Sequence, residues 1–171
     1  MAEHDWHLAQ LNVGRLVAPR ESPEIRGFVD ALDEINRIAD EAPGFVWRLA
    51  TEAGNATDIR PTEDDLFLIN MSVWSSLEAL RSFTYDTAHV EILRQRRSWF
   101  ERLAAAHLVL WWIPAGHVPT IAEALDRLDR LRRDGPTPVA FTFRTPFAPD
   151  ADRPGGPMVG DEFCWPESAA S

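Results

Sequence analysis

Within the stretch TYDTAHVEILRQRRSWFERL, His89 falls at helical spacing with Leu93, Arg96, Phe100 and Leu103, so a histidine and an arginine share an otherwise apolar stripe. An imidazole facing a cavity between helix and sheet can serve as a general base or as a ligand to a metal or haem. It can equally close the core edge, hydrogen-bonded to Asp86 or to backbone. Asn12, in HLAQLNVGRL, points with Leu8 and Gln10 by strand alternation. Two amides on one strand face need partners if that face is buried, and they mark either a core layer or the mouth of a cavity. The run from Arg94 to Phe100 sets Arg96 and Arg97 beside Trp99, a combination suited to an anionic substituent on a planar ligand. The alternative is a solvated face with ion pairs to Glu91 and Glu101. Trp47, Trp74, Trp99, Trp111 and Trp112 can wall a pocket for a flat apolar ligand, or fill a core or dimer interface. Asn55, in GNAT, makes either a turn or part of a loop closing over a cavity mouth. The remaining histidines, His107 and His117 beside the fourth strand and His4 and His7 near the N-terminus, follow no strong metal-binding spacing.

These residues need elements to hold them. His7 to Leu16 alternates as a first strand. Ser22, Pro23 and Glu24 then open an amphipathic helix with an N-cap hydroxyl, carried by Ile25, Phe28, Val29, Leu32, Ile35 and Ile38 until Pro43 and Gly44. Phe45 to Thr51 reads as a second strand, TEAGNATDIRPTEDD as a long loop, and Leu66 to Trp74 as a central third strand. Ser75 and Glu78 form a capping box for a helix broken at Tyr85 and Asp86; another runs from about Thr87 to Ala105 before the fourth strand, Leu108 to Ile113. The order β-α-β-β-α-β is that of ferredoxin-like α+β domains. Thr120 and Glu123 cap a further helix, and Val139 to Arg144 forms a short strand on the sheet edge or across a dimer. The domain therefore spans residues 1–145. Residues 146–171, rich in proline, glycine and acids, read as a disordered tail.

Composition narrows the chemistry. With a net charge of -10 the chain repels a phosphate backbone, which disfavours nucleic acid and anionic membranes as partners. All 17 basic residues are arginine, which excludes Schiff-base lysines and P-loop contacts. The one cysteine, Cys164, can form no internal disulfide. No apolar run is long enough to span a bilayer and the N-terminus has no signal-peptide pattern, so a cytoplasmic protein is expected. There is no glycine-rich phosphate loop, G-x-S-x-G elbow or H-E-x-x-H, and Tyr85 is the only tyrosine. A four-stranded sheet with helices on one face leaves the other needing burial, which points to a homodimer.

HLAQLNVGRL, PGFVWRL with GNAT, VWSSLEALRSFTYDTAHVEILRQRRSWFERL, and HLVLWWIPAGHVPT with GPTPVAFTF resemble the DUF3291 family, a group related to the antibiotic biosynthesis monooxygenases. The resemblance covers residues 7–147. It implies the dimeric α+β barrel, with a cavity between sheet and helices in each subunit. The wider superfamily includes cofactor-free oxygenases, haem-degrading oxygenases, chlorite dismutases, isomerases and binding proteins, so fold alone does not fix activity. In the haem-degrading members a strand asparagine, a helix tryptophan and a helix histidine shape the pocket. Asn12 and His89 stand at the counterpart positions, Phe83 stands where the tryptophan would, and the spacing from the third strand to His89 is shorter. The cofactor is thus none or haem. The reading that results is an oxygenase-like enzyme for a planar, apolar small molecule. His89 would be base or axial ligand, Asn12 would hold a substrate oxygen, and Arg96 or Arg97 would neutralise charge, with Trp99, Phe83, Trp74 and Asn55 lining the site. A non-catalytic binding protein using the same cavity is the alternative.

Overall fold

The computed structural model describes residues 6–149 apart from 53 and 86, and of residues 87–89, 92 and 93 the helical backbone alone. Four strands, β1 (Trp6–Arg15), β2 (Phe45–Arg48), β3 (Phe67–Trp74) and β4 (Leu108–Pro114), form one antiparallel sheet in the order β2-β3-β1-β4. Helix α1 (Arg26–Glu41) joins β1 to β2, and α2 (Leu77–Thr84) with α3 (Thr87–Trp99) join β3 to β4. This is the ferredoxin-like α+β arrangement, and it is followed by α4 (Ile121–Asp134).

Local chemistry explains the boundaries, several of which differ from expectation. Ser22 makes no side-chain cap; Pro23–Ile25 form a 3-10 turn with Ile25 N–H donating to Ser22 O, and α1 starts only after it. The cap of α2 is Ser76, not Ser75, its Oγ accepting from Ala79 N–H at 3.0 Å. Ser75 instead donates its backbone N–H to Gly44 O at 2.7 Å. Strand β2 carries a bulge between Phe45 and Trp47 and ends at Arg48, short of Thr51, which turns back with its N–H donating to Asn55 O at 2.8 Å. Helix α3 stops at Trp99, well before Ala105, because Phe100 bridges to Leu16 and Glu101 N–H donates to Arg15 O, so β1 captures the chain. The expected strand after Val139 reduces to isolated bridges, Phe141 to Leu110 on the outer edge of β4 and Ala140 to Thr137. Packing nevertheless continues past residue 145: Trp112 Nε1–H donates to Phe147 O at 2.7 Å and Phe147 lies against Phe141. The rest of the expected tail, 150–171 with Cys164, lies outside the described residues.

Strand alternation divides the core between two faces. On one, Ala9, Leu11, Val13, Met71, Val73, Val109, Trp111 and Ile113 are buried beneath Ala124, Leu128 and Leu131 of α4, with Leu49 and Ile59 packed alongside. The stripe that made α4 amphipathic thus closes the face expected to await a second copy. The burial that this sheet face requires is supplied within one chain. Helices α1, α2 and α3 lie over the opposite face.

Glu123 anchors the start of α4. Its backbone N–H is capped by Thr120 Oγ1 at 3.1 Å, and its carboxylate accepts from Trp111 Nε1 at 2.9 Å and meets His117 Nε2 at 2.8 Å. Burial pushes the carboxyl pKa up, but the hydrogen bonds from His117 and Trp111 outweigh it and hold it below the ordinary 4.5. A carboxylate with a depressed folded pKa contributes stability that is complete above the unfolded value and lost as pH falls through the folded one. The Tm gap between wild type and Glu123→Gln is therefore expected to narrow as pH falls below the ordinary carboxyl value of 4.5. A gap that stays constant in thermal melts across that range would remove this role for Glu123.

Candidate small-molecule cavity

The even-numbered face of β1 forms the floor of the site. Gln10 pairs across the ladder with Ser72, Asn12 with Asn70 and Gly14 with Leu68, so a polar stripe runs over two central strands. Part of it is satisfied internally: Gln10 Nε2 donates to Asn70 Oδ1 at 2.7 Å and to Ser72 Oγ at 3.0 Å, and Trp74 Nε1 donates to the same Oγ at 2.8 Å. Buried polar atoms need such partners, and the network fixes the Trp74 indole. Phe83 of α2 stacks on that indole at 4.9 Å between centroids, and Phe45 meets it edge-on at 5.5 Å.

The roof is α1. Phe28, Leu32 and Ile35 face inward yet are only half-buried, because a cavity of about 210 Å³ separates them from the floor. Helix α3 supplies the end wall. Trp99 is buried against Phe28 at 5.8 Å and lies close over Gly27, where an added Cβ would stand 3.2 Å from the indole. Phe100 meets Phe28 edge-on at 5.1 Å and presses onto Gly14, where a Cβ would stand 2.6 Å from its ring. That absence of a side chain lets α3 approach β1 closely enough to bring Arg96 over the floor.

Arg96 Nη2 lies 3.4 Å from both Asn12 Oδ1 and Val13 O, and its guanidinium stands 5.3 Å from the Phe100 ring centre. Among the described residues no carboxylate pairs with it. Burial pushes its pKa down. At the mouth, Arg48 is tied to Asp40 at 2.7 and 3.2 Å and donates to Gly54 O at 2.7 Å. Asn55 Oδ1 accepts from Thr57 N–H and Oγ1–H at 3.0 and 2.6 Å, so Asn55 makes a turn and also lines the mouth.

The tertiary structure thus brings together Asn12, Arg96, Trp99, Phe83, Trp74 and Asn55. Arg97 is not among them: it is exposed, being one residue, or about 100° of helix, from Arg96. Glu101, expected to pair within the arginine run, instead binds Arg15, which also holds Asp64. His89 lies within α3, but its side chain, like the Asp86 that was its alternative partner, lies outside the described residues. Asn70 and Ser72 were overlooked, although two polar residues at period two in the apolar run LFLINMSVW are the signal that finds them. Among the described residues no group of three potential metal ligands gathers, and no helix is long and apolar enough to cross a membrane.

The model of a domain of unknown function, DUF3291, matches residues 7–155. The chain belongs to the DUF3291 family. No curated protein matches it. Among solved structures, it is similar to SnoaB, a cofactor-independent oxygenase from Streptomyces nogalater, at 14% identity and a TM-score of 0.44, covering 68% of this chain and 97% of that one. A conserved protein from Methanosarcina mazei has 9% identity and a TM-score of 0.47, covering 65% and 94%. A putative antibiotic biosynthesis monooxygenase from Chloroflexus aurantiacus has 14% identity and a TM-score of 0.42, covering 67% and 98%. At such identities no residue role passes from those proteins to this DUF3291 member.

Proposed function

We propose that the cavity receives a planar, apolar small molecule and presents it for oxygenase-like chemistry. The observation that carries this reading is the chamber beneath α1. An amphipathic helix whose inward Phe28, Leu32 and Ile35 stay half-buried over an aromatic wall lacks an apolar filler, and a flat ligand supplies one. The neutral bicyclic 2-naphthamide is expected to quench the tryptophan fluorescence of the full chain saturably; linear, non-saturating quenching would reject the chamber.

A haem does not suit this cavity. About 210 Å³ is the room of a small aromatic ligand and not of a porphyrin with two propionates. Among the described lining residues there is no histidine, cysteine, tyrosine or methionine to ligate iron. A haemin titration is expected to give no saturable Soret shift. A shift lost in His89→Ala would instead make His89 an axial ligand and overturn this conclusion.

The same lining favours a second reading, a binding protein without catalysis. Among the described residues the wall holds no carboxylate, imidazole, thiol or phenol that could move a proton, so His89 is the one candidate base of the catalytic reading. Oxygen uptake with a bound substrate that disappears in His89→Ala supports catalysis. Uptake that persists in His89→Ala removes His89 from the mechanism, and binding without turnover across planar substrates selects the second reading.

A further inference from the structure

We propose that the ligand carries one carboxylate-type anionic group, which docks on the Arg96 guanidinium and the amide nitrogens of Asn12 and Asn70. This rests on the reading of the cavity as a ligand chamber and adds the chemical class of what enters it.

The argument is a count of uncommitted donors and charges. An arginine can only donate, so the Asn12 atom facing Arg96 is its oxygen, and Nδ2 of this cavity-lining residue is left without a hydrogen-bond partner among the described residues. Asn70, an exposed residue of the cavity wall, has its Oδ1 occupied by Gln10 Nε2 at 2.7 Å, which leaves its Nδ2 without a protein partner among the described residues. The two asparagines are directly opposed across the β1–β3 ladder, so these donors lie side by side on one face. Arg96 completes the set from above. Its oxygen partners, Asn12 Oδ1 and Val13 O, are neutral and both 3.4 Å away, longer than the 2.7–2.9 Å of a charge-assisted hydrogen bond. The guanidinium thus has a loosely filled coordination sphere in a half-buried place.

Charge decides between anions. Arg48 is the other cation in the wall, and Asp40 already neutralises it through two hydrogen bonds. One positive charge remains uncompensated among the described lining residues, which suits a monoanion better than a phosphate dianion. The planar fork of arginine matches the two oxygens of a carboxylate. Phe28, Leu32, Ile35 and Phe83 leave only apolar contact for the rest of the molecule.

The test compares 2-naphthoate with its neutral isostere 2-naphthamide by tryptophan quenching on the full chain. Wild type is expected to bind naphthoate more tightly. Arg96→Gln should lose at least about tenfold for naphthoate and little for naphthamide. Asn12→Asp would place a carboxylate on Arg96 from within the protein, so it should erase the preference while naphthamide still binds. That variant also covers the case in which Arg96→Gln fails to fold, because it keeps the guanidinium and gives it an ion pair. Equal binding of both probes by wild type, or an equal loss of both in Arg96→Gln, overturns the anion site and leaves the chamber standing. If neither probe binds wild type, the chamber falls, and the anion site with it.

Discussion

Replacing Gly44 with alanine is expected to lower stability by about 3 kcal/mol, or roughly 6–12 °C in Tm for a chain of this size. Two penalties combine at this position. The backbone lies at φ +82°, in the left-handed region that costs an alanine about 1–2 kcal/mol. The new Cβ would also stand 2.6 Å from Ser75 Oγ and inside van der Waals contact of Ala79 Cβ. Ser75 Oγ can turn aside, but Ala79 Cβ cannot: it is fixed to the first turn of α2, where Ala79 N–H donates to the capping Ser76 Oγ. Gly54 is the control: its φ is +83°, but nothing lies within 4 Å of an added Cβ. Gly54→Ala should therefore cost only the backbone part, about 1 kcal/mol. Equal Tm losses in the two variants would show that packing between the α1–β2 turn and α2 contributes nothing.

Filling the chamber is the larger functional perturbation. Leu32→Trp places an indole beneath α1 in space that the native helix leaves open, with Phe28 and Ile35 as neighbours. Saturable binding of 2-naphthamide should weaken by at least about tenfold, since loss of a buried apolar contact of that size is worth more than about 1.4 kcal/mol. The Tm should stay level or rise, because the added side chain buries apolar surface in an existing void instead of overpacking a filled core. Unchanged affinity would place the ligand elsewhere. A steep fall in Tm would mean that the space beneath α1 closes in solution.

Much of this architecture is written in local pattern. Strand alternation in HLAQLNVGRL and LFLINMSVW fixes which residues share a face, because the side-chain period of a strand is two whatever surrounds it. Thr120 caps α4 as its spacing from Glu123 indicates, because a cap is a contact three residues long. The break expected at Tyr85 separates α2 from α3. Where two local solutions compete, pattern does not choose. Ser75 and Ser76 are both good caps, and the choice falls to Ser76 because Ser75 is held by Gly44 of a distant turn.

The site was legible as residue types and not as a constellation. Arg96 and Arg97 are adjacent and chemically identical in sequence, and only the packing of Phe100 onto Gly14 decides which one reaches the floor. Asn12 was visible as a polar residue in a strand, but its partner across the ladder, Asn70, is 58 positions away, and register depends on the whole sheet. The sequence by itself therefore determined the elements, their faces and the ferredoxin-like order, which depend on interactions within a few residues. The tertiary structure alone decided that α4 covers the second sheet face, that α3 ends at Trp99, and that one guanidinium meets an amide floor beneath α1. Each of those outcomes is a competition between distant surfaces for burial, and no window of sequence contains both competitors.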